Sequence, residues 1–170
     1  MAAFTDLLDE ALEAWAYTRA GVVDELKNLA PRELGFRPHP RSRSAAELAR
    51  HVVESGRLMA GELSREDGDF RRKSYPALLR EHGGGGGGKD AIADLVRLLK
   101  ASQRDGEKKL RRAGELHMLQ QIRRFDGKMG TRLAWMNHGI AHEEYHRGQL
   151  AMYARLLGRV PALTQLIEGS

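Results

Sequence analysis

Seven histidines stand at positions 39, 51, 82, 117, 138, 142 and 146. The run His142-Glu143-Glu144-Tyr145-His146 sets two imidazoles four residues apart. On a helix that is one turn along one face, so both rings can reach a single metal ion. A third ring from a facing helix would complete a three-imidazole set, and His51, beside the apolar Leu48 and Val52, is the best placed. Each of these histidines also has a plainer reading, since carboxylates, backbone or water commonly satisfy such rings and a lone histidine on an apolar face is more often part of the core. Their agreement favours a cation: three neutral rings buried without partners would each cost about 1–3 kcal/mol, and one shared ion satisfies all three.

Such a divalent ion keeps an uncompensated +2 charge and an open coordination position, the arrangement of a catalytic site. It can lower the pKa of bound water for hydrolysis or stabilise a substrate thiol as thiolate. Zinc and nickel both suit imidazole. The chain has no cysteine, so any thiolate must arrive with a substrate or cofactor, and disulfides, zinc ribbons and iron–sulfur clusters are excluded. Glu54, Asn137 and Glu143 are candidates to accept a ring N–H and fix a tautomer. His138 fits hydrogen bonding better than ligation, and Tyr145 and Arg147 either meet substrate or pack and pair.

Three other signals weaken on context. HEEYH fits the H-E-x-x-H pattern of zinc peptidases, but Gln149 and Met152 occupy the Gly and His positions of its extended form, and Glu168 is the sole carboxylate after His146. Glu143, turned about 100° from His142, points to the flank as an outer or surface group. Gly83-x4-Gly88-Lys89 resembles a phosphate loop, yet Asp90 replaces the metal-binding hydroxyl and no hydrophobic strand precedes it. Between Lys100 and Arg132 ten basic residues face four acids, with Phe125 the one aromatic residue among them, which suits a solvated helix face better than nucleic acid.

The histidines need rigid elements to converge. Leu8, Ala11, Leu12, Trp15, Val22, Val23, Leu26 and Leu29 predict a helix over 5–29 with Thr5 as cap. Gly35 to Pro40 must be an extended connection, because each proline restricts the residue before it. Ser44-Ala45-Ala46-Glu47 is a capping box opening a second helix to about Leu63. Residues 64–88 read as irregular, and the glycines at 83–88 predict a mobile loop. A third helix is expected from Asp90 to Ala113, then a connection to Gly130, partly extended around Met118 to Ile122. The clearest helix runs from Thr131 to Leu157, closed by Gly158 and Pro161. The expectation is an all-α chain: one four-helix-bundle domain over 1–170, with a long crossover between helices 2 and 3.

Composition agrees with a globular chain: 170 residues, 41% hydrophobic, 30% charged, net charge +5 with both signs interleaved. No apolar run approaches the roughly 20 residues of a membrane span, and the acidic N-terminal stretch is unlike a secretory signal, so a cytoplasmic location is expected.

The stretch from His138 to Leu150, followed by Tyr153-Ala154-Arg155-Leu156-Leu157-Gly158 and Val160-Pro161, strongly resembles the DinB/YfiT-like superfamily of metal-dependent enzymes. Phe36-Arg37-Pro38-His39-Pro40 and Ser44 to His51 look like that family's lead-in to its first metal histidine. The resemblance implies a four-helix bundle with a divalent ion, zinc or nickel, on His51, His142 and His146. It also implies homodimers, a small-molecule substrate, and either a hydrolase or an S-transferase using a low-molecular-weight thiol. It does not imply DNA binding. A non-catalytic metal-stabilised bundle that binds a ligand or partner is the alternative.

Overall fold

The computed structural model describes residues 5–84 and 91–169. Four long helices carry the fold: α1 (Leu7–Lys27), α2 (Ala45–Leu63), α4 (Ile92–Ala113) and α6 (Arg132–Leu156). α1 packs on α4 and α6, and α2 packs on the same two, so the first two helices face each other across a diagonal of the bundle. That arrangement sets the α2 face carrying His51 against α6.

Local chemistry explains where the helices begin. Asp6 caps α1 by accepting from the Asp9 backbone N–H at 2.8 Å, the role expected of Thr5, whose hydroxyl instead bonds the Asp9 carboxylate. The capping box of α2 is complete, with Ser44 accepting from Glu47 N–H at 3.2 Å and Glu47 accepting from Ser44 N–H at 2.8 Å. Thr131 caps α6 through Ala134 N–H at 3.0 Å. Gly158, at φ 76°, ends it in the left-handed conformation that a β-carbon disfavours.

Smaller elements lie between the long helices, α3 (Tyr75–Gly83), α5 (Glu115–Met118) and the strands β1 (Gln121–Arg123) and β2 (Met129–Thr131), and α7 (Ala162–Glu168) follows the last of them. The strands pair antiparallel with Ile122 opposite Gly130. α3 and α7 differ from expectation, and the connection expected to be partly extended around Met118 to Ile122 is helical through Met118 before it enters β1. α3 falls in the stretch read as irregular: Pro76 favours its first turn and Leu78 is fully buried, but nine residues are too few to display a period. The hairpin arises because Ile122 is buried between exposed neighbours and Gly127, at φ 81°, closes the turn. α7 packs on α1 beyond Pro161. The expected glycine loop lies, beyond Gly84, outside the described residues, as do the phosphate-loop lookalike's Gly88-Lys89 and the anticipated helix start at Asp90. Among the described residues no helix is long and apolar enough to cross a membrane.

The core is split along the bundle axis. One cluster gathers Val22, Leu26, Leu48, Val52, Leu99 and Leu150, the other Leu12, Trp15, Leu63, Leu110, Met136 and Ile140. At the level between them every long helix contributes polar groups: Arg19 from α1, His51 from α2, Ser102 from α4, and Glu143 and His146 from α6. A polar layer across an apolar core costs free energy unless each group is satisfied, which directs attention to what satisfies this one.

Candidate metal centre

His51 projects from the middle of α2, and His142 and His146 lie one turn apart on the facing side of α6. The Nε2 atoms of His51 and His142 are 3.3 Å apart, and those of His142 and His146 are 3.1 Å apart. The three donor atoms fall within 4.8 Å of one another. Nitrogens bound tetrahedrally at 2.0–2.1 Å would sit about 3.3 Å from each other, so the set is spaced as ligands of one ion. Ring planes cross at 73°, 89° and 87°, edge to face, which lets all three lone pairs aim inward rather than stack.

The rings are held neutral, as ligation requires. Burial pushes His51 down to about 3, reinforced by the Arg43 charge and by the other two rings. Burial also lowers His142, with His146 adding to it and Glu143 opposing. For His146 burial again dominates, followed by the opposing hydrogen bond from Gln149 and then by Arg43, which lowers it further. The Nδ1–H of His146 donates to Gln149 Oε1 at 2.7 Å, which fixes the proton on Nδ1 and leaves Nε2 free. Gln149, three residues along the same helix, is the outer group that sequence reasoning missed, although an i,i+3 polar partner was there to be read.

The carboxylates take other roles. Glu143 turns off the metal face as expected, yet not to solvent: it is 1% exposed and its flank meets α1 inside the bundle. It accepts from Trp15 Nε1 at 2.8 Å and from Arg19 Nε and Nη2 at 2.9 and 2.5 Å. Its oxygens are thereby committed to α1, which removes the peptidase-type base and the proposed hydrogen bond to a ring. Arg19 also donates to Leu99 O at 2.7 Å and Ser102 Oγ at 2.8 Å. Gly56 is needed here, because a β-carbon would lie 2.6 Å from Arg19 Nη2 and 3.1 Å from Glu143 Oε1.

Neither Glu54 nor Asn137 hydrogen-bonds a ring; Asn137 is exposed and Glu54 lies against Gly83. Tyr145 is exposed with its ring 5.2 Å from that of His146. Arg147 pairs with Glu144 at 3.1 Å and covers the Tyr17 ring, the packing role rather than a substrate contact. His39, His82 and His117 are satisfied by Arg41 N–H, Glu62 and Leu63 O.

His138 lies tilted against Trp135, ring centroids 4.7 Å apart, and with His142 it lines a cavity of about 390 Å³. Phe70, Tyr75, Phe125 and Trp135 set four aromatic rings into the rest of the wall, so the irregular crossover and the hairpin close one side of the centre with aromatic rings. A second acid and histidine group, Glu62, Glu81 and His82, also has ligand-like spacing. There Arg72 bonds both carboxylates and Lys73 bonds Glu81 at 2.6 Å, so the negative charge is already neutralised.

The family model of the DinB superfamily matches residues 14–150. Among solved structures, the chain is similar to the DinB-like protein YjoA of Bacillus subtilis at 21% identity, covering 89% of this chain and 93% of that one with a TM-score of 0.68. It is also similar to YfiT of Bacillus subtilis, described as a probable metal-dependent hydrolase with an unusual four-helix bundle topology. That match has 11% identity, covers 94% and 93% of the two chains, and has a TM-score of 0.69. A variant of a mycothiol-dependent maleylpyruvate isomerase matches at 12% identity over 84% of this chain and 60% of that one, with a TM-score of 0.62. No curated protein matches the sequence significantly. At these identities the structures share the bundle.

Proposed function

The chain belongs to the DinB superfamily, and from that premise we propose that it is a metal-dependent enzyme whose divalent ion, zinc or nickel, is held by His51, His142 and His146. Its reaction, on this reading, transfers a low-molecular-weight thiol to an electrophilic small molecule. The observation that carries the proposal is the convergence of three Nε2 atoms, from buried His51 and His146 and half-buried His142, with no uncommitted carboxylate beside them. An ion so held supplies Lewis acidity that favours the anionic form of a thiol or of water.

The chain's own residues decide between those two. A thiol with an ordinary pKa near 8.5 is already close to ionised at neutral pH, whereas water at 15.7 is far from it. A site without an uncommitted carboxylate base therefore suits the thiol better. Glu143 is unavailable as that base because Arg19 and Trp15 occupy its oxygens. Gln149 keeps the His146 proton on Nδ1, and the aromatic cavity beside His142 offers an apolar seat for the electrophile while excluding water. The resemblance to YfiT supports hydrolysis as the second reading. Low-molecular-weight thiols are kept reduced in the cytoplasm, where this reaction would run. Exposed Met152, Leu156, Leu163, Leu166 and Ile167 on α6 and α7 give a homodimer an apolar surface to bury.

Metal analysis of the purified protein, followed by assays of thiol addition to an electrophile and of activated-ester hydrolysis, tests the proposal. One ion per chain and thiol-dependent turnover that vanishes in His142→Ala are expected. Full metal occupancy without turnover would favour a non-catalytic, metal-stabilised bundle instead.

A further inference from the structure

The connection that leads into α2 is irregular yet tightly pinned. Arg37 donates to Ser42 O at 2.8 Å and to Glu47 Oε1 at 2.6 Å, and Ser42 N–H donates to His39 O at 2.8 Å. The backbone N–H of Arg41 donates to His39 Nδ1 at 3.1 Å, and the Tyr153 hydroxyl reaches across from α6 to Arg43 O at 2.9 Å. Five hydrogen bonds thus fix a segment without regular structure, which spends backbone entropy on presenting its side chains.

What it presents is a pair of arginines. Arg41, Ser42, Arg43, Leu48, Gln149 and Tyr153 line a cavity of about 460 Å³. Gln149 belongs to both sides of that wall, since its Oε1 also accepts from His146. The neighbouring arginines are paired, Arg37 with Glu47, Arg159 with Glu33 and Arg147 with Glu144. Among the described residues, Arg41 and Arg43 have no carboxylate within ion-pair distance. The Arg43 charge is felt at His51, His142 and His146, and also at Tyr75 in the wall of the aromatic cavity. Arg43 thus shares a cavity wall with Gln149, the hydrogen-bond partner of His146.

Three neutral imidazoles bring no negative charge to a divalent ion, and the nearest buried acid is neutralised by Arg19. Two further guanidinium groups make the field at this mouth more positive still, which favours an anionic ligand. A guanidinium fork matches the two oxygens of a carboxylate. We propose that Arg41 and Arg43 form a carboxylate subsite of the centre, so that the substrate is a small acid anchored by its carboxylate beside the histidines. This rests on the metal-dependent reading above.

The protein as purified is titrated with hydrocinnamate and with hydrocinnamide, which lacks the charge, and binding is followed by ligand-observed NMR. The acid is expected to bind about tenfold tighter, the preference falling to within about twofold in the Arg41→Gln/Arg43→Gln protein and surviving largely in Arg43→Lys. Equal binding of acid and amide, or a preference unchanged in the double variant, overturns the subsite. A second arm titrates the cobalt-loaded protein with mercaptopropionate and mercaptoethanol and reads the sulfur-to-cobalt charge-transfer band. An arginine-dependent preference for the acid there assigns the carboxylate to the thiol, and equal binding assigns it to the electrophile. Cobalt uptake that is absent, or indifferent to His142→Ala, overturns the metal-dependent reading alone and leaves the acid–amide comparison to judge the subsite.

Discussion

Arg19 with Glu143, and His51 with His142 and His146, occupy the same level of the bundle between its two apolar clusters. The first group is complete within the protein: Glu143 accepts three hydrogen bonds, and Arg19 divides its N–H groups among Glu143, Leu99 O and Ser102. In the second, three ring nitrogens point at one another, and neutral rings can share at most a proton between any two of them. His142 and Glu143 are adjacent in sequence, yet the helical turn between them sends one toward α2 and the other toward α1. A buried charged pair that needs nothing further acts as structure, and a buried neutral set that lacks something acts as a receptor.

The contrast is broken most severely from the structural side. Arg19→Leu strands the Glu143 charge in the core and should cost about 3–5 kcal/mol of stability. Urea denaturation, with or without metal, reads that loss. Adding Glu143→Leu to it should restore a large part, because no buried charge then remains. A loss under 1 kcal/mol in Arg19→Leu would mean that the pair is not the keystone of this layer.

The histidines should behave in the opposite manner. His142→Ala or His146→Ala should abolish tight metal binding, and His51→Ala should weaken it at least about 100-fold, roughly 2.7 kcal/mol, while each metal-free variant still folds. Competition with a chelator of known affinity measures this. Unchanged stoichiometry in all three variants would remove the site.

Much of this division was legible in the sequence. The four-residue spacing of His142 and His146 and the place of His51 beside Leu48 and Val52 follow from helical period alone, as does the bundle from four amphipathic stretches. The direction of Glu143 was only half legible. A turn of about 100° takes it off the metal face, but whether that flank meets solvent or another helix depends on α1 packing beside α6, which period does not encode. Arg19 carried a signal, since it sits between Trp15 and Val22 on an otherwise apolar stripe. α3 was not legible and the hairpin only in the extended stretch that ends at Ile122, because three to nine residues give too few repeats, and burial of Leu78 and Ile122 by tertiary contacts decides their form.

A subtler cut leaves all three ligands in place and loosens one. Gln149→Leu removes the acceptor that holds His146 Nδ1–H, so the ring can rotate or exchange tautomers. Metal affinity should fall about 10–100-fold, with little change in the stability of the metal-free protein. Gln149→Glu should keep or raise the affinity, since a carboxylate accepts the same proton more strongly. Equal affinity in Gln149→Leu and the unaltered protein would show that burial alone orients His146.

The mildest probe uses pH to separate the two halves of the layer without mutating either. His51 is depressed to about 3 by burial, by Arg43 and by its neighbours, against an ordinary value of 6.5. The unfolded chain therefore binds a proton that the folded chain refuses, and metal-free stability rises with pH across that interval and is lost as pH falls below 6.5. Between pH 7.5 and 5.5 the His51 share of that loss should be about 1 kcal/mol, and it should disappear in His51→Leu. Metal affinity of the folded protein should fall less across this window than that of free imidazole, because burial already keeps the rings deprotonated. Arg19→Leu leaves the three rings in place, so it should lower the whole stability curve while leaving its slope there intact. A slope that flattened in Arg19→Leu and kept its full size in His51→Leu would reverse the roles assigned to the two groups.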